Sequence, residues 1–160
     1  MANAIGRRDC QGIKQQKAIP RGRPGMKTVL IAEDNPVNRE LLRELLEMRG
    51  YAVFEAGDGE QALREINQNI PDILLLDLNM PVLDGFGTLK RIRQDPRLAS
   101  LPVLAVTAYA MRGDREKILS SGFDGYLSKP ITSAELEREL ERLVSSGIPL
   151  ENSRTRPIGE

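Results

Sequence analysis

The sequence predicts an α/β fold, a doubly wound five-stranded parallel sheet with helices on both faces, and two observations carry that reading. Between residues 26 and 145, short apolar runs alternate with helix-period segments in five successive units, the order that builds βα repeats. Two of the strand runs are apolar on both faces, as a parallel sheet covered from both sides requires.

The strand candidates, in order, are Val29-Leu30-Ile31-Ala32, Ala52-Val53-Phe54, Ile73-Leu74-Leu75-Leu76, Val103-Leu104-Ala105-Val106 and Tyr126-Leu127. After the first run Asn35 is placed to cap a helix, and Pro36 suits the first helical position. Val37, Leu41, Leu45 and Met48 fall on one face of that helix, and Gly50 ends it. Less regular helices are expected over Asp58 to Gln68, Gly85 to Arg93 and Met111 to Ser121. Thr132-Ser133 start a last helix with Leu136, Leu140 and Leu143 on its inner stripe.

Composition bounds the chemistry. The chain of 160 residues fits one domain with tails. Hydrophobic residues at 40% and charged residues at 29% are ordinary for a soluble protein, and no run is long and apolar enough to span a bilayer. Cys10 is the only cysteine, so an internal disulfide is excluded, which suits a cytoplasmic setting. The complete absence of histidine removes Ser-His-Asp and Cys-His catalysis and His-ligated metals. No GxxxxGK[ST] or GxGxxG fingerprint is present either. Residues 1–25 carry six basic side chains against Asp9, about +5, while the whole chain is neutral. They read as a basic, disordered tail in which Cys10 is an idle thiol, and nucleic acid is not an expected partner. Residues 146–160, with Pro149 and Pro157, read as a flexible C-terminal tail, leaving 26–145 as the folded domain.

In open α/β sheets ligands bind beyond the carboxyl ends of the strands, at the topological switch point. Strand one runs into Glu33-Asp34, strand three into Asp77, strand four into Thr107 and strand five into Lys129-Pro130. In the flavodoxin-like order 2-1-3-4-5 the switch point lies between strands one and three, which places Glu33, Asp34 and Asp77 side by side. Three carboxylates in one crevice repel one another unless a cation sits among them. A hard, oxygen-seeking ion such as Mg²⁺ resolves that conflict and keeps positions for water and phosphate. Each residue alone has a plainer role as a cap, a strand end or a solvated charge. Together, acid, acid, hydroxyl and ammonium make one site for phosphoryl transfer.

Those same segments carry a resemblance. Ile31-Ala32-Glu33-Asp34-Asn35-Pro36, Leu75-Leu76-Asp77-Leu78-Asn79-Met80-Pro81 with Asp84-Gly85, Val106-Thr107-Ala108, and Tyr126-Leu127-Ser128-Lys129-Pro130 resemble the receiver domain of two-component response regulators, of the stand-alone, single-domain type. The resemblance covers roughly residues 27 to 145 and implies several roles. Asp77 would be the phosphoacceptor. Asp34 and Asp77 would ligate Mg²⁺ with the Asn79 backbone carbonyl, and Glu33 would assist through metal-bound water. Lys129 would pair with the phosphoryl oxygens, Thr107 would hydrogen-bond to them, and Tyr126 would be the conformational switch. Many members of the family carry two aspartates where this chain has Glu33-Asp34. A cis Lys129-Pro130 bond would aim the ammonium into the crevice, and Met80-Pro81 with Gly85 would shape the turn beside Asp77; the sequence leaves cis and trans open.

The implied partners are a sensor histidine kinase or histidine phosphotransfer protein as donor, and a downstream protein target or an onward phosphorelay as output. A monomer or weak dimer is expected, with no membrane contact. No helix-turn-helix-sized segment follows residue 145. The domain would catalyse only its own phosphorylation and dephosphorylation. An aspartate-nucleophile phosphatase is the competing enzyme reading, but no cap domain or substrate loop supports it. A degenerate receiver used only for contact is disfavoured because every key position holds a competent residue.

Overall fold

The computed structural model describes residues 26–108 and 112–145. Five strands and five helices alternate: β1 (Thr28–Ala32), α1 (Pro36–Glu47), β2 (Ala52–Ala56), α2 (Gly59–Gln68), β3 (Ile73–Asp77), α3 (Gly85–Gln94), β4 (Val103–Thr107), α4 (Arg112–Ser120), β5 (Gly125–Ser128) and α5 (Ser133–Ser145). A single 3₁₀ turn, Pro96–Leu98, follows α3. All neighbouring strands pair parallel in the order β2-β1-β3-β4-β5. The predicted doubly wound sheet is therefore the observed one, and every strand ends on the same edge.

The alternation of side chains along the strands divides the core into two layers. Leu30, Ala32, Leu74, Leu76, Val103 and Ala105 face α2, α3 and α4, meeting Ile66, Leu89, Ile92 and Ile118. Val29, Ile31, Ile73, Leu75, Leu104 and Val106 face the other way, against Leu42 and Leu46 of α1 and Leu136, Leu140 and Leu143 of α5. β3 and β4 are buried at every position, which is why their sequences show no polar alternation.

The caps follow the local chemistry. The Asn35 side chain accepts from the Val37 and Asn38 amides, Asp58 from Gln61 and Asp84 from Gly87, each satisfying amides that the first helical turn leaves unpaired. At α5, the Thr132 hydroxyl accepts from the Glu135 amide and donates to its carboxylate. The chain leaves α1 through Gly50 at φ 87°, a conformation that glycine adopts without penalty.

The face that α1 buries differs from the sequence expectation. Leu42 and Leu46 are the residues in the core, whereas Val37, Leu41 and Met48 are 71%, 45% and 80% exposed. The helix carries two apolar stripes, and Leu45, partly buried, lies at the border of the inner one. Burying a leucine contributes about 1.5–3 kcal/mol, and contact with the sheet selects the Leu42/Leu46 stripe. The helix boundaries otherwise agree within two residues. The start expected at Met111 and the tails 1–25 and 146–160, Cys10 included, lie outside the described residues. Among the described residues no helix is long and apolar enough to cross a membrane.

Candidate functional site

The carboxyl edge of the sheet brings the polar strand ends together. Glu33 follows β1 and is 1% exposed, Asp77 ends β3 at 2%, and Thr107 ends β4 at 2%. Asp34 is exposed at the mouth. One carboxylate oxygen from each of Glu33, Asp34 and Asp77 lies within 4.8 Å of the others. Lys129, just after β5, reaches across β4 to set its Nζ 3.0 Å from Glu33 Oε1 and 3.1 Å from Asp77 Oδ2. Its backbone amide donates to the Thr107 carbonyl at 2.8 Å, fastening this segment to the end of β4. The Lys129-Pro130 bond is cis.

Each acidic side chain is held by local backbone. The Asn79 amide donates to Asp77 Oδ1 at 3.1 Å, so Lys129 and Asn79 hold different oxygens of that carboxylate. The Asn35 amide donates to Glu33 Oε2 at 3.1 Å. Arg39 of α1 donates through Nη1 to the Glu33 carbonyl at 2.8 Å and through Nε to Glu55 at 2.9 Å, tying the β1-α1 turn to β2. Beyond Asp77, the turn approaches so closely that a Cβ on Gly85 would lie 2.6 Å from the Asp77 carbonyl oxygen. Only glycine fits there. In the same turn Val82 stands at φ 69° with 78% of its surface exposed.

The electrostatics are those of a crowded anionic site. Burial raises the Glu33 carboxyl above its ordinary range and the Asp77 charge adds to the shift, while Lys129 and the Asn35 amide oppose it. For Lys129, burial works against the charged ammonium, but Glu33 and Asp77 outweigh it and the net shift is upward. The Lys129 contact with Glu33 is short but misaligned for hydrogen bonding, so the buried Oε1 atom has no hydrogen-bond donor. The contact is an ion pair. Three hard carboxylate donors within 4.8 Å of one another fit a small divalent cation such as Mg²⁺.

Thr107 and Tyr126 share one face of the sheet. Ala105 pairs with Tyr126 and Thr107 with Ser128, so Tyr126 lies two residues before the partner of Thr107. Thr107 also lines an open cavity of about 200 Å³ with Leu78, Asn79, Phe86, Asp114, Lys117 and Ile118. The Tyr126 ring packs against the core cluster below α4. Its hydroxyl accepts a hydrogen bond from Arg115 Nε.

The structure thus gathers Glu33, Asp34, Asp77 and Lys129 in one cluster, with Asn79 bonded to Asp77. Thr107 stands on the adjoining strand end, and Tyr126 lies farther back on the sheet. Sequence reasoning missed Arg39, Arg115 and the backbone of Val82. The two arginines carried no signal, being ordinary charges on helices, and valine is a residue type that argues against a positive φ.

The response regulator receiver domain family matches this chain over residues 29–141. The polar-differentiation response regulator DivK of Brucella anthropi is 41% identical over 106 residues, covering 66% of this chain and 86% of the relative. Among solved structures, the receiver domain of a sensor histidine kinase from Pseudomonas aeruginosa, with a magnesium ion coordinated in its active site cleft, superposes at a TM-score of 0.70. It has 39% identity and covers 75% of this chain and 98% of that one. The chemotaxis response regulator CheY4 of Vibrio cholerae gives a TM-score of 0.70 at 30% identity, covering 74% and 98%.

Proposed function

We propose, from the premise that this chain belongs to the response regulator receiver domain family, that it accepts a phosphoryl group on Asp77 and signals through the conformational change that follows. The observation that carries this reading is the placement of the buried Asp77 carboxylate between the Lys129 ammonium and two further carboxylates. An Asp77 oxygen attacks phosphorus, the bond from phosphorus to the donor's histidine nitrogen breaks, and its electron pair stays on that nitrogen. Lys129 neutralises charge on the transferred oxygens, and the Asn79 amide fixes the orientation of the attacking carboxylate. The Thr107 hydroxyl donates a hydrogen bond to the new phosphoryl oxygens.

Glu33, Asp34, Asp77 and the Asn79 carbonyl would hold Mg²⁺, with Glu33 acting through a bound water. The ion would supply charge neutralisation during transfer. The donor would be a sensor histidine kinase or histidine phosphotransfer protein. The output would be a protein target or an onward relay, reached in the cytoplasm by a monomer or weak dimer. The unit doing this would be residues 26–145. It would turn over no substrate beyond its own phosphorylation and dephosphorylation. The test is incubation with a phosphohistidine donor and Mg²⁺. One hydroxylamine-labile phosphate mapping to Asp77 is expected, and label on any other residue, or none, would refute the proposal.

A further inference from the structure

Among the described residues, Arg115 is the cation stacked on the residue assigned to conformational switching. It is exposed on α4, yet it spends two interactions on one neighbour. Its Nε donates to the Tyr126 hydroxyl at 2.5 Å, and its guanidinium carbon lies 5.3 Å from the centre of the Tyr126 ring. The ring packs against the core while the bond to its hydroxyl lies at the surface. Arg115 therefore holds the outer end of a side chain whose inner part is half-buried. A guanidinium is suited to this because its planar fork offers a donor and a stacking face together, and a phenol hydroxyl is a competent acceptor.

We infer that Arg115 is a latch: it stabilises the outward position of Tyr126 and so sets how far the unphosphorylated domain lies from its active form. This rests on the reading of Tyr126 as the residue that turns inward. Turning inward removes the hydroxyl from Arg115 and the ring from beneath the guanidinium. Both interactions then belong to one state only, which is the condition for a contact to bias an equilibrium. An exposed cation–π contact and a net hydrogen bond are both modest contributions, so removing the pair shifts the equilibrium by roughly fivefold to thirtyfold, about 1–2 kcal/mol at 1.4 kcal/mol per tenfold. By linkage, anything that binds the inward form must then bind tighter by that same factor. Arg115 touches no reacting atom. It is a positioning residue acting through Tyr126, and it tunes the threshold of the response without entering the transfer.

The experiment uses beryllofluoride with Mg²⁺, an unreactive mimic of an acyl phosphate, titrated into the full chain labelled on its tyrosine rings. With three tyrosines in the sequence, the Tyr126 resonance is assigned by its loss in Tyr126→Phe. In the wild type the Tyr126 ring signal should move on saturation. Arg115→Ala should bind the mimic about fivefold to thirtyfold tighter, and Arg115→Lys, which keeps the charge without the fork, should fall between. In a Tyr126→Ala background Arg115→Ala should change nothing. Unchanged affinity in Arg115→Ala, or an equal gain in the Tyr126→Ala background, would overturn the latch while the wild-type signal still moved. A wild-type Tyr126 signal that stays in place at saturation would overturn the switch reading, and the latch with it.

Discussion

Lys129 Nζ lies 3.1 Å from Asp77 Oδ2 and 3.0 Å from Glu33 Oε1, so one ammonium bridges the ends of the adjacent strands β3 and β1. The bridge places a positive charge against the carboxylate assigned as nucleophile, and it leaves Lys129 a second partner when Asp77 changes. Asp77→Asn should therefore keep its thermal midpoint close to wild type, because Lys129 remains paired with Glu33. It should also lose all hydroxylamine-labile phosphate, since an amide is not a competent nucleophile. Undiminished labelling by a phosphohistidine donor would rule out Asp77.

Glu33 gives a prediction about pH. Its folded carboxyl is raised, first by burial and then by Asp77, so the folded state holds a proton that the unfolded chain releases earlier. The unfolded chain binds fewer protons over the interval above the ordinary glutamate range, and stability must fall as pH rises through that interval. Thermal melts in chelator should show this decline in the wild type and a flatter profile in Glu33→Gln. Added Mg²⁺ should restore stability at the high end, because a cation favours the ionised carboxylates. Parallel pH profiles for the two proteins, or melts indifferent to Mg²⁺, would remove Glu33 from the site.

The phase of α1 is tested by two leucines. Leu46 is fully buried and Leu41 is 45% exposed. Leu46→Ala should cost about 2–5 kcal/mol, and Leu41→Ala less than about 1 kcal/mol. Urea denaturation of the two variants measures both. The opposite ranking would mean that α1 turns its other stripe inward.

What could be read in advance divides along physical lines. Glu33, Asp77, Thr107 and Lys129 were legible because each interrupts an apolar run where a strand must end, and parallel strands all end on one edge. The parallel sheet followed from the same runs, since strands buried on both faces show no polar alternation, while its order 2-1-3-4-5 was that of the flavodoxin-like fold. The inner face of α1 was not legible, because Val37, Leu41, Leu45 and Met48 repeat as regularly as Leu42 and Leu46, and only the sheet distinguishes them. Arg115 and Arg39 were hidden for a different reason. A helical arginine is normally solvated, and what these two touch depends on elements 11 and six residues away in sequence.

Val82 offers a stability test beside the site. A non-glycine residue at φ 69° costs about 1–3 kcal/mol, more so when β-branched. With 78% of its surface exposed, the side chain gains little from burial. Glycine relieves the strain and gives back about 0.5–1 kcal/mol in unfolded-state entropy. Val82→Gly should therefore be more stable by about 1 kcal/mol, a rise of roughly 3 °C in thermal midpoint. A lower midpoint would show that the Val82 side chain makes stabilising contacts.

The last prediction concerns how phosphorylation leaves the site. Thr107 is 2% exposed at the end of β4, one strand from Asp77, and its register places it on the same face as Tyr126. A phosphoryl group adds about −1.5 to −2 charges and new acceptor oxygens, and the Thr107 hydroxyl on the neighbouring strand end is a neutral donor for them. Movement of that hydroxyl would vacate space on the face that Tyr126 shares, letting the ring turn inward and changing the surface of α4, β5 and α5. Thr107→Ala breaks this chain at its first step without touching the nucleophile, the ammonium or the carboxylates. It should accept phosphate on Asp77 to the same final level, while its phosphorylation-dependent gain in partner affinity falls by roughly the worth of one charge-assisted hydrogen bond, about tenfold. Ring resonances of Tyr126 before and after phosphorylation, read beside the partner titration, decide it. A Tyr126 response of wild-type size in Thr107→Ala would mean that the signal reaches α4 by another route.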